Sequence, residues 1–174
     1  EPHQLRQWFA ALEPRPEDSE QRNTVRDFCA FLLLTGCREQ EAARLRWADV
    51  DLDAAKVTFP DTKNHKTHVL PVGPWLAELL ERRQQNRTSA YVFPADNRAG
   101  HLLNHRKSIL AICRDSDVEF RCHDLRRTFA SIASVHLERS LSAYTLKRLL
   151  NHSSGGDVTG GYVQVGVEDL REPM

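Results

Sequence analysis

Three short stretches gather residue types that handle phosphate: Thr35 to Glu41 (T-G-C-R-E-Q-E), His123 to Arg126 (H-D-L-R), and Asn151 to Tyr162 (N-H-S-S-G-G-D-V-T-G-G-Y). Two arginines, Arg38 and Arg126, two histidines, His123 and His152, and a late tyrosine, Tyr162, are what a metal-free protein needs to break a phosphodiester by covalent catalysis. A guanidinium suits this work because its planar fork matches two phosphate oxygens at once. Glu41, three residues after Arg38, is spaced to orient that fork; taken alone, the same spacing describes an ordinary helical ion pair. His123 and Arg126 fall in the first turn of an expected helix, where free N–H groups and the dipole favour anions. Taken alone, His-x-x-Arg describes a solvated basic face. His152 follows Leu149, Leu150 and Asn151, and a lone histidine there is usually a helix cap. Gly155, Gly156, Gly160 and Gly161 make the segment before Tyr162 hard to hold as a helix, which fits a tyrosine that must move. Tyr91 and Tyr144 lack this setting.

The elements that must position these groups are legible in outline. Leu5, Trp8, Phe9 and Leu12 make an amphipathic start that ends at Pro14-Arg15-Pro16. A second helix begins near Ser19 with Val25, Phe28, Cys29 and Leu32 on one face, and Gly36 ends it. Arg38 to Leu45 reads as a short third helix. Val50-Asp51-Leu52, Lys56 to Phe59 and Thr67 to Val72 are short, β-branched and separated by turn residues, as in a three-stranded antiparallel sheet. Gly73-Pro74 opens another helix with proline at its first position. Later helices are expected over about 104–115, 124–137 and 142–150. In the helix carrying H-D-L-R, Leu125, Phe129, Ile132 and His136 share the face expected to anchor in the core, opposite His123, Arg126, Arg127 and Ala130. The resulting class is mainly α with a small antiparallel β-sheet (α+β).

In order and local context these motifs resemble the tyrosine recombinase (phage integrase) family over nearly the whole chain. Threonine-glycine before Arg38, with Leu45 and Trp47 after it, is typical of that family, and Leu149-Leu150-Asn151-His152 is similar to its leucine–glycine–histidine box, with Asn151 in the glycine position. Asparagine also tolerates positive φ. The resemblance implies a DNA breaking-and-rejoining catalytic domain over residues 1–174, the C-terminal part of a longer integrase whose N-terminal DNA-binding domain is absent. It implies that Tyr162 attacks the scissile phosphate to give a 3′-phosphotyrosine, that Arg38, Arg126 and His152 hold the phosphate, and that His123 takes the phenol's proton. It also implies that a lysine of the β-hairpin protonates the leaving oxygen. Lys63 and Lys66 both qualify; Lys63 matches better because T-K precedes an H-x-L-P stretch. Double-stranded DNA is the implied partner, with a homotetramer on DNA and exchange of the tail Val163 to Met174 between protomers. The rival readings are a catalytically silent DNA-binding or assembly module on the same scaffold and a type IB topoisomerase-like enzyme, whose local motifs fit less well.

Composition bounds these readings. The chain has 174 residues, enough for one domain with a core, and 40% hydrophobic residues. No apolar run approaches membrane-spanning length and no signal-peptide layout opens the sequence, so no membrane partner is expected and a cytosolic protein is the simplest reading. Cys29, Cys37, Cys113 and Cys122 include no Cys-x-x-Cys pair and read as buried free thiols. Basic and acidic residues number 24 each, but residues 56–150 hold 16 basic against 9 acidic, so positive charge is concentrated where the proposed phosphate ligands lie. The neutral total predicts weak DNA affinity for this chain alone. His101 and His105 are four apart, as are Asn64 and His68, yet no glutamate sits between the histidines as in a metalloprotease helix. They read as surface histidines, with no metal and no cofactor expected.

Overall fold

Ser19 and Gly36 bracket the longest helix of the computed structural model, which describes residues 2–63, 65–136 and 143–151. Helix α1 spans Pro2–Ala10 and α2 spans Glu20–Thr35. The Ser19 hydroxyl accepts the Arg22 N–H at the start of α2. At its end Gly36 takes φ +61° and returns its N–H to the Leu32 carbonyl, the left-handed cap that glycine adopts without a Cβ penalty. A five-residue helix α3 (Glu39–Ala43) and a 3-10 turn (Trp47–Asp49) lead into the sheet. Strands β1 (Val50–Asp51), β2 (Lys56–Phe59) and β3 (His68–Pro71) are antiparallel in the order β1-β2-β3, with Phe59 opposite His68. Helices α4 (Pro74–Gln85), α5 (Arg106–Ser116), α6 (Cys122–His136) and α7 (Ala143–Leu149) complete the described chain.

The core forms around α2, whose Val25, Phe28, Cys29, Phe31 and Leu32 are sealed from solvent. Helix α6 packs along α2, α4 and α5 close other sides, and α1 lies against α5. Phe93 meets both Phe28 and Phe31 edge-on, a favoured aromatic geometry. Arg26 and Asp27, the buried charges of α2, are paired. Arg26, fully buried, bonds to Asp18, Asn23 and Asp115, while Arg82 and Arg83 grip the two oxygens of Asp27. These pairs fix α2 against its surroundings, and with it the Thr35–Cys37 corner that leads to Arg38.

The expected elements are present, with three differences. The third helix begins at Glu39 because Arg38 is extended (φ −77°, ψ 145°) and serves as its N-cap, and it ends early at Ala43. On α6, Leu125 is buried and Phe129 packs on the core, but Ile132 is 39% exposed. Conversely Arg126, expected on the face opposite the core-anchoring residues, is buried at 8% exposure. The α2 cap explains the rotation: Phe129 lies over Gly36, so the α6 face that meets α2 includes Arg126. The third difference concerns His101 and His105, which are buried and not surface histidines. His101 lies tilted against the Tyr91 ring and bonds the Leu102 carbonyl, and His105 packs beside Phe28. All four cysteines are free; Cys29, Cys37 and Cys122 are buried and Cys113 is half-buried.

Candidate functional site

Arg38 is held by one carboxylate at both ends. Its backbone N–H donates to Glu41 Oε2 at 3.0 Å, and its Nη1 donates to Glu41 Oε1 at 3.0 Å. The Glu41 side chain is only 5% exposed against 25% for Arg38, so the carboxylate end of the pair is shielded from water and holds the guanidinium in place. Nη2 of Arg38 donates to the Asn151 carbonyl at 3.2 Å. Arg126 reaches across from α6: Nη1 donates to the Gly36 carbonyl and Nη2 to the Leu150 carbonyl. These contacts occupy two of the five N–H donors each guanidinium carries.

A third side chain completes the pattern. His68, buried on β3, donates from Nε2 to the Leu149 carbonyl at 3.1 Å. Three successive carbonyls at the C-terminal end of α7 are therefore met by His68, Arg126 and Arg38. Donors and positive charge are stabilising there, because the last carbonyls lack helical partners and carry the negative end of the dipole. Asn151 takes φ +48°, as its side chain permits. The chain is thus pinned up to the residue that precedes His152.

Around this anchor lies a cleft of about 880 Å³. Arg38, Glu41, Lys63, His123 and Arg126 all line it, together with Cys37, Arg44 and His65. Lys63 and His123 are exposed on its wall. Lys63 is presented by the β2–β3 loop, whose turn is closed by the His65 N–H to the Thr62 carbonyl at 2.8 Å and the buried Thr62 hydroxyl to the Lys66 carbonyl at 2.8 Å. Lys66, the alternative, is not among the lining residues. His152 and Tyr162, like the tail Val163 to Met174, lie outside the described residues.

The electrostatics favour an anion. Burial, and then the neighbouring Arg38 charge, press the Arg126 guanidinium below its ordinary pKa. Two cations that destabilise one another at short range gain when a phosphate-like charge arrives between them. Cys37 is no rival nucleophile. Burial pushes its thiol up to about 12, so it remains protonated at neutral pH. Burial also lowers His68 to about 4, so it is a neutral donor.

Of the residues nominated from sequence, the structure gathers Arg38, Glu41, Lys63, His123 and Arg126 at one cleft; the sequence did not single out His68 as an anchor. Its only signal was the H-x-L-P context, since a contact between residues 81 apart in sequence leaves no local pattern. Nor could it assign Arg44 and His65 to the cleft.

A family model described as the phage integrase family matches residues 1–168. Among curated relatives, the prophage integrase IntF of Escherichia coli (strain K12) is 29% identical over 136 residues, covering 75% of this chain and 28% of that protein. The tyrosine recombinase XerA of Thermococcus kodakarensis is 29% identical over 155 residues, covering 84% of this chain and 54% of that protein. The chain thus spans roughly a quarter to a half of these relatives' length. The same fold recurs in the integrase from mycobacterium phage Brujita (TM-score 0.73, 20% identity, 98% of this chain and 54% of that one). It recurs in XerH recombinase bound to difH substrate in a pre-cleavage complex (TM-score 0.68, 18% identity, 87% and 46%). A lambda integrase tetramer bound to a Holliday junction is a third neighbour (TM-score 0.61, 16% identity, 94% and 48%). With its sequence matched almost end to end by that model, and with an arginine-lined cleft on the fold these recombinases use, the chain belongs to the phage integrase family.

Proposed function

We propose that the chain is the catalytic unit of a site-specific DNA recombinase that cleaves and rejoins strands through a 3′-phosphotyrosine intermediate. The observation that carries this reading is the convergence of Arg38, Arg126, His123 and Lys63 on one cleft. In the reaction, Tyr162 attacks the scissile phosphorus. A phenol has a pKa of about 10 and must lose its proton as it attacks; His123 accepts it. The transition state concentrates negative charge on the non-bridging oxygens. Arg38, held by Glu41, and Arg126 clamp those oxygens, and His152 adds a hydrogen bond. The leaving 5′ oxygen is a far stronger base than the phenol and takes a proton from Lys63. The tyrosyl phosphodiester keeps the energy of the broken bond, so a 5′-hydroxyl from another strand reverses the step. The chain's own residues supply every proton transfer named here.

Double-stranded DNA is the partner on this reading, and four protomers assemble on two duplexes with tails exchanged after Tyr162. The neighbours solved with DNA, one of them a tetramer on a Holliday junction, support that assembly. Residues 1–174 are then one catalytic domain of a longer integrase that works in the cytoplasm on phage or mobile-element DNA. Incubation with a nicked suicide duplex tests the proposal. A covalent protein–DNA band is expected in the wild type and not in Tyr162→Phe. A band of undiminished intensity in Tyr162→Phe moves the nucleophile elsewhere, and its absence from the wild type at saturating DNA favours a silent binding module.

A further inference from the structure

At the edge of the cleft, where Glu39 and Cys122 belong to its lining, three metal-binding side chains from separate segments meet. Glu39 opens α3, His105 is the N-cap of α5, and Cys122 opens α6. His105 Nε2 lies 3.2 Å from Glu39 Oε1 and 3.4 Å from Cys122 Sγ, and all three donor atoms fall within 4.8 Å of one another.

The arrangement resembles a nucleophilic triad in composition but not in geometry. A Cys–His–Glu relay uses opposite ring nitrogens, one for the thiol and one for the carboxylate. Here both groups face Nε2, while Nδ1 is buried without a hydrogen-bond partner. Every polar contact of this imidazole is therefore directed at one point. That convergence is what a coordinated ion requires. Zinc bound to thiolate, imidazole and carboxylate at its usual bond lengths gives tetrahedral edges of roughly 3.4 Å for N···O and roughly 3.6 Å for S···N. The observed separations are within a few tenths of an ångström of both. His105 and Cys122 are more than nine-tenths buried, whereas the Glu39 side chain is 41% exposed, which leaves an entry path on its side.

We propose that Glu39, His105 and Cys122 form a binding site for a borderline-soft divalent cation of the zinc class, with water in the fourth position. Soft sulfur with imidazole and one carboxylate selects zinc over magnesium or calcium, which take oxygen ligands. Binding exchanges the Cys122 thiol proton, released to solvent, for the metal. Its role is positional. Glu39 follows Arg38 and Cys122 precedes His123 in the chain, so one ion ties together the two segments that deliver those residues to the cleft.

Titration of the purified chain with Co²⁺ tests this. One equivalent is expected to bind, with a thiolate-to-cobalt charge-transfer absorption that Zn²⁺ displaces. Cys122→Ser should abolish that absorption, and Glu39→Gln and His105→Gln should weaken binding by at least tenfold. Zn²⁺ should raise the melting temperature of the wild type and leave that of His105→Gln unmoved, a readout that stands even if Cys122→Ser fails to fold. No saturable binding at one equivalent, a charge-transfer band retained in Cys122→Ser, or an undiminished Zn²⁺ shift in His105→Gln would overturn the site.

Discussion

Glu41 holds the Arg38 backbone and the Arg38 guanidinium with its two oxygens, so its charge does two jobs at once. Glu41→Gln keeps the size and one acceptor but removes the charge assistance, which roughly doubles the strength of such bonds. The expected result is a fall of about tenfold in the rate of covalent DNA adduct formation, about 1.4 kcal/mol of transition-state stabilisation, with a normal circular-dichroism spectrum. An unchanged rate would show that Arg38 needs no such support. His68 supplies a second prediction. Burial lowers its pKa from 6.5 to about 4, so the unfolded chain takes up a proton in a range where the folded chain does not. Stability is fully present above pH 6.5 and is lost as pH falls towards 4, by about 3 kcal/mol over that window. Urea midpoints measured between pH 7 and 4 should fall, and the slope should flatten in His68→Gln. These two residues mark how far side-chain roles were legible. Glu41 was readable because its partner is three residues away. His68 was not, because its partner is the carbonyl of Leu149 on a different element.

The elements were easier to read than their rotation. Ser19 and Gly36 announced both ends of α2, proline announced the start of α4, and β-branched runs announced the sheet. The burial of Arg126 was hidden because a helical wheel fixes relative angles along α6 but not which side meets α2. Gly36 decides that side by having no side chain. A Cβ there would sit 2.3 Å from Phe129 Cδ1, and the residue is already at φ +61°. Gly36→Ala therefore meets a steric clash and a left-handed strain together, and should cost about 2–4 kcal/mol in chemical denaturation. The same substitution displaces the carbonyl that Arg126 grips, so cleavage should drop further than stability alone explains. An alanine variant as stable as the wild type would mean that α6 can retreat from α2 without loss. In sequence both His101 and His105 read as surface side chains, whereas His101 precedes α5 beside Tyr91 and His105 caps it against Phe28.

For the whole molecule, charge sets what the chain can do with DNA. A total of 24 basic and 24 acidic residues gives no long-range pull on a polyanion. Attraction must come from the cleft, where Arg38, Lys63 and Arg126 are the cations proposed to meet phosphate. With about three cationic side chains brought onto the backbone and a like number of counterions released, the logarithm of the binding constant should fall with the logarithm of salt at a slope of about −3. Raising salt from about 50 to about 200 mM then weakens binding by about 60-fold, far less than for a protein that lines a duplex with many lysines. Fluorescence anisotropy on a short duplex gives this slope directly. Lys63→Ala, which removes an exposed cation without touching the core, should make it shallower by about one unit. A slope steeper than about −6 would require a broad phosphate-binding face beyond the cleft, and would move the DNA path away from the arginine pair on which the proposed chemistry depends.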